Sequence, residues 1–157
     1  MISGGAGNDV ISGGAGDDQL TGGLGDDTIS GGEGDDILVG VSVESGGAFE
    51  KDTLTGGLGS DFFILGDENQ VYYNDGNVLN LGESDYAVIT DFDLSQDVIQ
   101  LNGSMEFYQL DFYTISPGKI NAALIYDPGA TARRELIGII QEVSPELNLA
   151  DSSFIFV

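Results

Sequence analysis

The sequence predicts an all-β fold, a parallel β-roll closed by a cap of C-terminal β-strands. Three observations lead there. A glycine-rich period of nine residues occupies the first part of the chain, one large apolar residue recurs in each period, and near residue 65 the glycine period gives way to β-alternation. The roll is expected over 1–64 and the β-rich cap over 65–157.

Aligned on glycine, residues 4–39 divide without a gap into GGAGNDVIS, GGAGDDQLT, GGLGDDTIS and GGEGDDILV. The alignment then places an insertion at 40–46, a degenerate repeat at 47–55 (GAFEKDTLT) and a full motif at 56–64 (GGLGSDFFI). Position six is always Asp: Asp9, Asp18, Asp27, Asp36, Asp52 and Asp61. Position eight is always large and apolar: Ile11, Leu20, Ile29, Leu38, Leu54 and Phe63. Ile2 and Ser3 match positions eight and nine of an earlier repeat, so the array is expected to continue upstream.

Each nonapeptide reads as a six-residue turn and a three-residue strand whose middle side chain points inward, since glycines allow positive φ. Two nonapeptides make one coil. Turns two repeats apart then stack at about 4.8 Å, and the position-six aspartates fall into registered columns. Two unscreened carboxylates about 5 Å apart repel by roughly 3 kcal/mol at an effective dielectric near 20. One apolar side chain per repeat is little burial against the entropy of ordering the rest. A divalent cation between stacked turns reverses the sign of the electrostatic term and takes up inward-pointing carbonyl oxygens. Calcium suits this best, because it accepts six to eight oxygens in loose geometry.

Composition narrows the remaining classes. Four Lys and Arg against 27 Asp and Glu give a formal charge of −23, which repels nucleic acid and anionic lipid and favours a cation as partner. Without Cys there is no disulfide framework or thiolate site, and without His no zinc site of the usual kind and no Ser-His-Asp triad. No apolar run reaches membrane-span length, and MISGGAGNDV lacks the charged and apolar regions of a signal peptide. A flexible Gly-rich linker would not keep an apolar residue at every ninth position, and no Lys-Ser/Thr follows the glycines as a phosphate loop requires.

The pattern GGxGxDxUx, with U large and apolar, resembles the repeats-in-toxin (RTX, hemolysin-type) calcium-binding nonapeptide. The resemblance implies a right-handed parallel β-roll with roughly three to five calcium ions between turns two repeats apart. One turn would supply the carbonyls of positions two and four and its Asp, the other those of positions one and three and its Asp. Carried over, a first site would use Gly5, Gly7 and Asp9 with Gly22, Leu24 and Asp27. A second would use Gly14, Gly16 and Asp18 with Gly31, Glu33 and Asp36. A third would pair Gly23, Gly25 and Asp27 with Gly47, Phe49 and Asp52, meeting Ala48 and Glu50 where glycines are expected. The last would pair Gly32, Gly34 and Asp36 with Gly56, Leu58 and Asp61. Asp17, Asp26 and Asp35, at position five, are expected to face solvent.

In the second half, residues 66–84 read as a long loop or a poor hairpin. YAVITDF, DVIQL, INAALIYD, RRELIGIIQEV and SSFIFV read as strands, with a turn at Asp127-Pro128-Gly129 and no clear reading of 104–119. YAVITDFDLSQDVIQL resembles the strand–turn–strand that closes RTX rolls, and the tail resembles the terminal cap of similar bacterial exported proteins. Asp91, Asp93, Ser95 and Asp97 imitate an EF-hand start, but Gln96 and Asn102 stand where its Gly and Glu are required. A turn with solvated acids is preferred there over an accessory calcium contact from Asp91 or Asp93.

Every repeated Asp is accounted for by the metal, so no unique pair remains for a carboxylate hydrolase, and a non-enzymatic module is expected. The resemblance further implies a C-terminal folding and secretion domain joined to an upstream domain, a type I secretion apparatus as partner, and a secreted or cell-surface location. The alternative is an adhesive or surface-layer module. That reading calls for a flat exposed row of Thr or aromatics, which Val10, Gln19, Thr28 and Ile37 do not make.

Overall fold

The computed structural model describes residues 1–42, 47, 49–74, 85–129 and 134–157. The first nine strands are β1 (Ile2–Ala6), β2 (Val10–Ala15), β3 (Gln19–Leu24), β4 (Thr28–Glu33), β5 (Ile37–Val41), β6 (Lys51–Leu58), β7 (Phe62–Ile64), β8 (Tyr86–Ile89) and β9 (Val98–Leu101). A 3-10 turn at Met105–Phe107 precedes β10 (Tyr108–Ser116), β11 (Lys119–Tyr126), β12 (Glu135–Ile140) and β13 (Phe154–Phe156). It is the only helical element among the described residues.

Each nonapeptide turn carries the chain from one sheet to the other. Odd strands line up as β1-β3-β5-β7-β9-β13 and even strands as β2-β4-β6-β8, a sheet that β12, β11 and β10 extend. From β1 to β9 every pairing is parallel and two strands on in sequence. The strands are longer than the expected three residues: β2, β3 and β4 span six each. They lengthen because the turn glycines also pair, Gly5 with Gly23 and Gly14 with Gly32.

Parallel register turns the apolar position eight into two inward ladders. One runs Ile2, Leu20, Leu38, Phe63, Ile99 and Phe154, and the other Ile11, Ile29, Leu54, Ile89 and Ile140. Leu20, Ile29, Leu38, Leu54, Phe63, Ile89 and Ile99 are all at most 1% exposed. The nonapeptides stop near residue 64, but both sheets and both ladders run on through β8 and β9.

The cap then changes the pairing. β10 and β11 form an antiparallel hairpin, β11 pairs antiparallel with β12, and β12 returns parallel to β8. The unread segment 104–119 thus holds the 3-10 turn and β10, and Asp127-Pro128-Gly129 follows β11. β13 covers β9, and Phe92 lies between Phe63 and Phe154 at centroid distances of 6.1 and 6.4 Å. In the loop after β7, Gly66 bridges Val71, Asp67 accepts the Asn69 and Gln70 amides, and Tyr72 and Tyr73 are buried. Residues 75–84 of that predicted loop lie outside the described residues.

Deleting residues 152–157 removes β13 and Phe154, uncovering Ile99 and Leu101. Urea unfolding at saturating calcium is expected to show a loss of at least about 3 kcal/mol, the low end for truncating a buried Phe. An unchanged midpoint rejects the sealing role of β13.

Candidate metal centres

The turns stack two repeats apart, and hydrogen bonds tie each position-six Asp to the next in its column. The Asp9 amide donates to Asp27 Oδ1 and the Asp27 amide to Asp52 Oδ1, both at 2.8 Å. On the other edge the Asp18, Asp36 and Asp61 amides donate to Asp36, Asp61 and Asp97 at 2.8, 3.0 and 3.0 Å. The carboxylates of Asp27, Asp52, Asp36, Asp61 and Asp97 thereby each spend one oxygen on main chain. Oδ2 of Asp9, Asp27, Asp36 and Asp61 is buried and has no hydrogen-bond partner.

Position one explains where those oxygens point. A Cβ on Gly4 would lie 2.6 Å from Asp9 Oδ2 and 2.8 Å from the Gly22 carbonyl oxygen. On Gly13 it would lie 2.6 Å from the Gly31 carbonyl oxygen and 2.8 Å from Asp18 Oδ2. Gly22 repeats the arrangement with Asp27 and the Gly40 carbonyl, and Gly31 with Asp36 and the Gly56 carbonyl. A carboxylate oxygen and a carbonyl oxygen of the next turn thus converge on a space that only glycine leaves open. Position two supplies a further acceptor: Gly23, at φ 129°, has the Gly5 carbonyl where a side chain would stand, and Gly32 the Gly14 carbonyl.

Position-three carbonyls also face the gap. Leu24, Glu33 and Leu58 accept the Gly7, Gly16 and Gly34 amides at 2.7, 2.7 and 2.8 Å, and each retains a second lone pair. Among the described residues no three acidic side chains form a group able to hold a metal ion. Carboxylates alone are therefore not the site; two Asp columns and the turn carbonyls together offer the all-oxygen, loosely arranged donor set that suits calcium.

The structure brings together the predicted residues of the first, second and last sites. It moves the third. Val41 pairs with Gly23 and the Ser42 amide donates to the Gly23 carbonyl at 2.7 Å, so Gly40, Val41 and Ser42 occupy positions one to three. The Lys51 amide donates to Asp26 Oδ1, which makes Glu50 position four and Asp52 position six. The insertion therefore falls at 43–49 rather than 40–46, and residues 43–46 and 48 lie outside the described residues. Gly47 and Phe49 are not in the stacked turns: Gly47 packs on Val41 and Tyr73, and Phe49 is 68% exposed. The chain continues from β5 straight into its turn, which is why Gly40 and not Gly47 takes position one.

Four residues outside the predicted set join the columns. Asp97 extends one edge, and its signal was the run Asp97-Val98-Ile99-Gln100, which repeats Asp9-Val10-Ile11-Ser12. Gly40 was visible as the glycine directly after a complete repeat. Tyr73, fully buried, donates its hydroxyl to Asp52 Oδ2 at 2.6 Å, and Glu50 accepts the Gly25 amide at 3.1 Å. Neither had a sequence signal. Asp91 accepts the Gly56 and Gly57 amides at 2.9 Å, and Asp93 holds the Ser95 amide and hydroxyl. Asp17, Asp26 and Asp35 are exposed as expected, yet each accepts the amide of the next turn's position five.

The RTX calcium-binding nonapeptide repeat family matches residues 3–38 and 47–77, in four copies. Four copies of that repeat lie in the array. These repeats bind calcium. In fold the chain is similar to the solution structure of the AlgE6R3 subunit from the Azotobacter vinelandii mannuronan C5-epimerase, with a TM-score of 0.66 and 23% identity over 97% of this chain and 80% of that one. No match was found among curated proteins. The parallel architecture accords with that likeness of fold, and among the described residues no helix is long and apolar enough to cross a membrane.

Burial within the stack raises the proton affinity of Asp27, Asp52, Asp61 and Asp97. Burial, with the charges of Asp27 and Asp26, pushes Asp52 up to about 6 against the opposing bonds from Tyr73 and the Asp27 amide. Burial also pushes Asp61 up to about 6, helped by the Asp97, Asp36 and Asp91 charges. Both folded values lie above those of free carboxyls, so the folded chain binds protons more tightly than the unfolded one. The resulting stability is present in acid and fades as pH rises through about 6. Calcium-stripped protein is therefore expected to gain β-signal in circular dichroism between about pH 7 and about pH 5, and calcium saturation to flatten that dependence. A β-signal that falls over this window contradicts the assignment.

Proposed function

We propose that this chain is a calcium-triggered folding module, the non-catalytic C-terminal part of a larger protein exported through a type I secretion apparatus. The observation that carries the reading is the set of buried, unpartnered carboxylate oxygens at Asp9, Asp27, Asp36 and Asp61, each inside a hydrogen-bonded stack. Buried anionic oxygens without partners are costly, and like charges in register add to the cost. Calcium removes both terms at once, so the folded state is coupled to the ion by mass action.

That coupling fits export of an unfolded chain. Where calcium is scarce the columns repel and the roll stays open; at roughly 10⁻⁴ to 10⁻³ M, the range of extracellular calcium modules, it closes. β12 and β13 cover the last coil and would share the C-terminus with the secretion signal. An upstream domain of the same polypeptide would carry the activity. The similarly folded AlgE6R3 is likewise a subunit from an enzyme. No observation favours the adhesive alternative: the outward positions Val10, Gln19, Thr28 and Ile37 form no uniform row.

Circular dichroism in chelator, magnesium and calcium tests the trigger. Calcium, and not magnesium at equal concentration, is expected to convert a largely disordered chain to a β-rich one. A spectrum insensitive to chelator sinks the trigger. The export reading has its own test: in a host carrying a type I exporter, the chain should be secreted, and removal of residues 152–157 should reduce the secreted fraction. Unreduced secretion would place the signal elsewhere.

A further inference from the structure

The gap between turns 22–27 and 40–52 differs from its neighbours in one ligand position. In three other gaps the position-four amide, of Gly7, Gly16 or Gly34, donates to a position-three carbonyl. Here the insertion at 43–49 separates Ser42 from Glu50, and the Gly25 amide donates instead to Glu50 Oε1. A side-chain carboxylate stands in for a main-chain carbonyl.

Glu50 is only 7% exposed, and its second oxygen, Oε2, is buried without a hydrogen-bond partner. The same gap contains the unpartnered Asp27 Oδ2, beside the Gly40 carbonyl. Satisfying the Gly25 amide needs one neutral acceptor, which glutamine offers equally. It does not explain a buried charge with a second, unused oxygen.

We propose that Glu50 is a calcium ligand, taking the place of a position-three carbonyl, and that its added charge makes this gap the tightest calcium site of the array. The inference rests on the calcium-binding reading of the roll and adds to it a residue outside the nonapeptide pattern. Carboxylate and carbonyl oxygens are needed together, in keeping with the absence of any purely acidic metal-binding group among the described residues. Calcium affinity rises with ligand charge, so one carboxylate in place of a carbonyl separates this gap from its neighbours.

Calorimetric titration of the calcium-stripped full chain, with a competing chelator, tests this. The wild type should show one ion bound more tightly than the rest, and Glu50→Gln should weaken that class on the order of tenfold or more. Glu68→Gln removes the same charge from an exposed position and should leave the tight class intact. A tight ion retained in Glu50→Gln, or lost equally in Glu68→Gln, overturns the assignment. A Glu50→Gln chain that folds only at higher calcium supports it, since glutamine keeps the Gly25 bond. One that no calcium concentration folds counts against it, because the other gaps remain intact. A wild type that binds no calcium would instead overturn the reading beneath it.

Discussion

Everything in the roll is arranged around stacking like charges at strand spacing. Each position-six Asp must sit over another, and at that distance two carboxylates repel by roughly 3 kcal/mol without screening. The main chain absorbs part of this through Asp amides that donate to the next carboxylate, as Asp9 does to Asp27. The rest falls to the cation. The glycines follow from the same constraint: position one lacks a Cβ because Asp9 Oδ2 and the Gly22 carbonyl occupy its place over Gly4. Position two takes positive φ, as at Gly23, because the carbonyl below fills the side-chain direction.

The apolar core is subordinate to that arrangement and outlasts it. Because the columns fix a parallel register, every position-eight side chain lands on another, and the ladders need no further specification. Once the register exists, ordinary β-branched and aromatic residues can extend it, as Ile89, Ile99 and Phe154 do beyond the last nonapeptide. The cap then buries what a thin roll cannot. Tyr108 contacts Tyr126 and Phe156 at 5.3 and 5.7 Å between centroids, a cluster with no counterpart in the repeats.

Legibility in the sequence tracks how locally a feature is determined. The period of nine made the turns, the Asp columns and the inward ladders readable, since each follows from one residue type at one spacing. The sequence pattern puts the insertion at 40–46 because Gly47 imitates position one, whereas the continuous strand Ile37–Val41 carries Gly40 into it. Asp97 reads as part of an EF-hand-like turn, although Asp97-Val98-Ile99-Gln100 echoes an earlier repeat. Glu50 and Tyr73 were beyond reach. Glu50 acts through a side chain that bridges an irregular turn, and Tyr73 reaches Asp52 from a loop past the array, so neither obeys the period.

The two edges of the roll also end differently, and the contrast extends the idea of a cap from apolar surface to charge. At Gly4, Gly13, Gly22 and Gly31 the carboxylate oxygen is met by the carbonyl of a following turn. At Gly40, among the described residues, the Tyr73 hydroxyl occupies that place and donates to Asp52 Oδ2. Burial and the Asp52 charge hold the Tyr73 hydroxyl well above its ordinary pKa, so it remains a proton donor at any physiological pH. On the other edge Asp97 closes the column by giving one oxygen to the Asp61 amide and the other to the Asp93 amide. Asp52 and Asp97 are thus satisfied by protein donors, while Asp27, Asp36 and Asp61 keep a buried oxygen without a hydrogen-bond partner. A solenoid that stacks charge needs its last carboxylate hydrogen-bonded as much as its last apolar side chain covered, and here donors from the loop after β7 and from the turn before β9 do this.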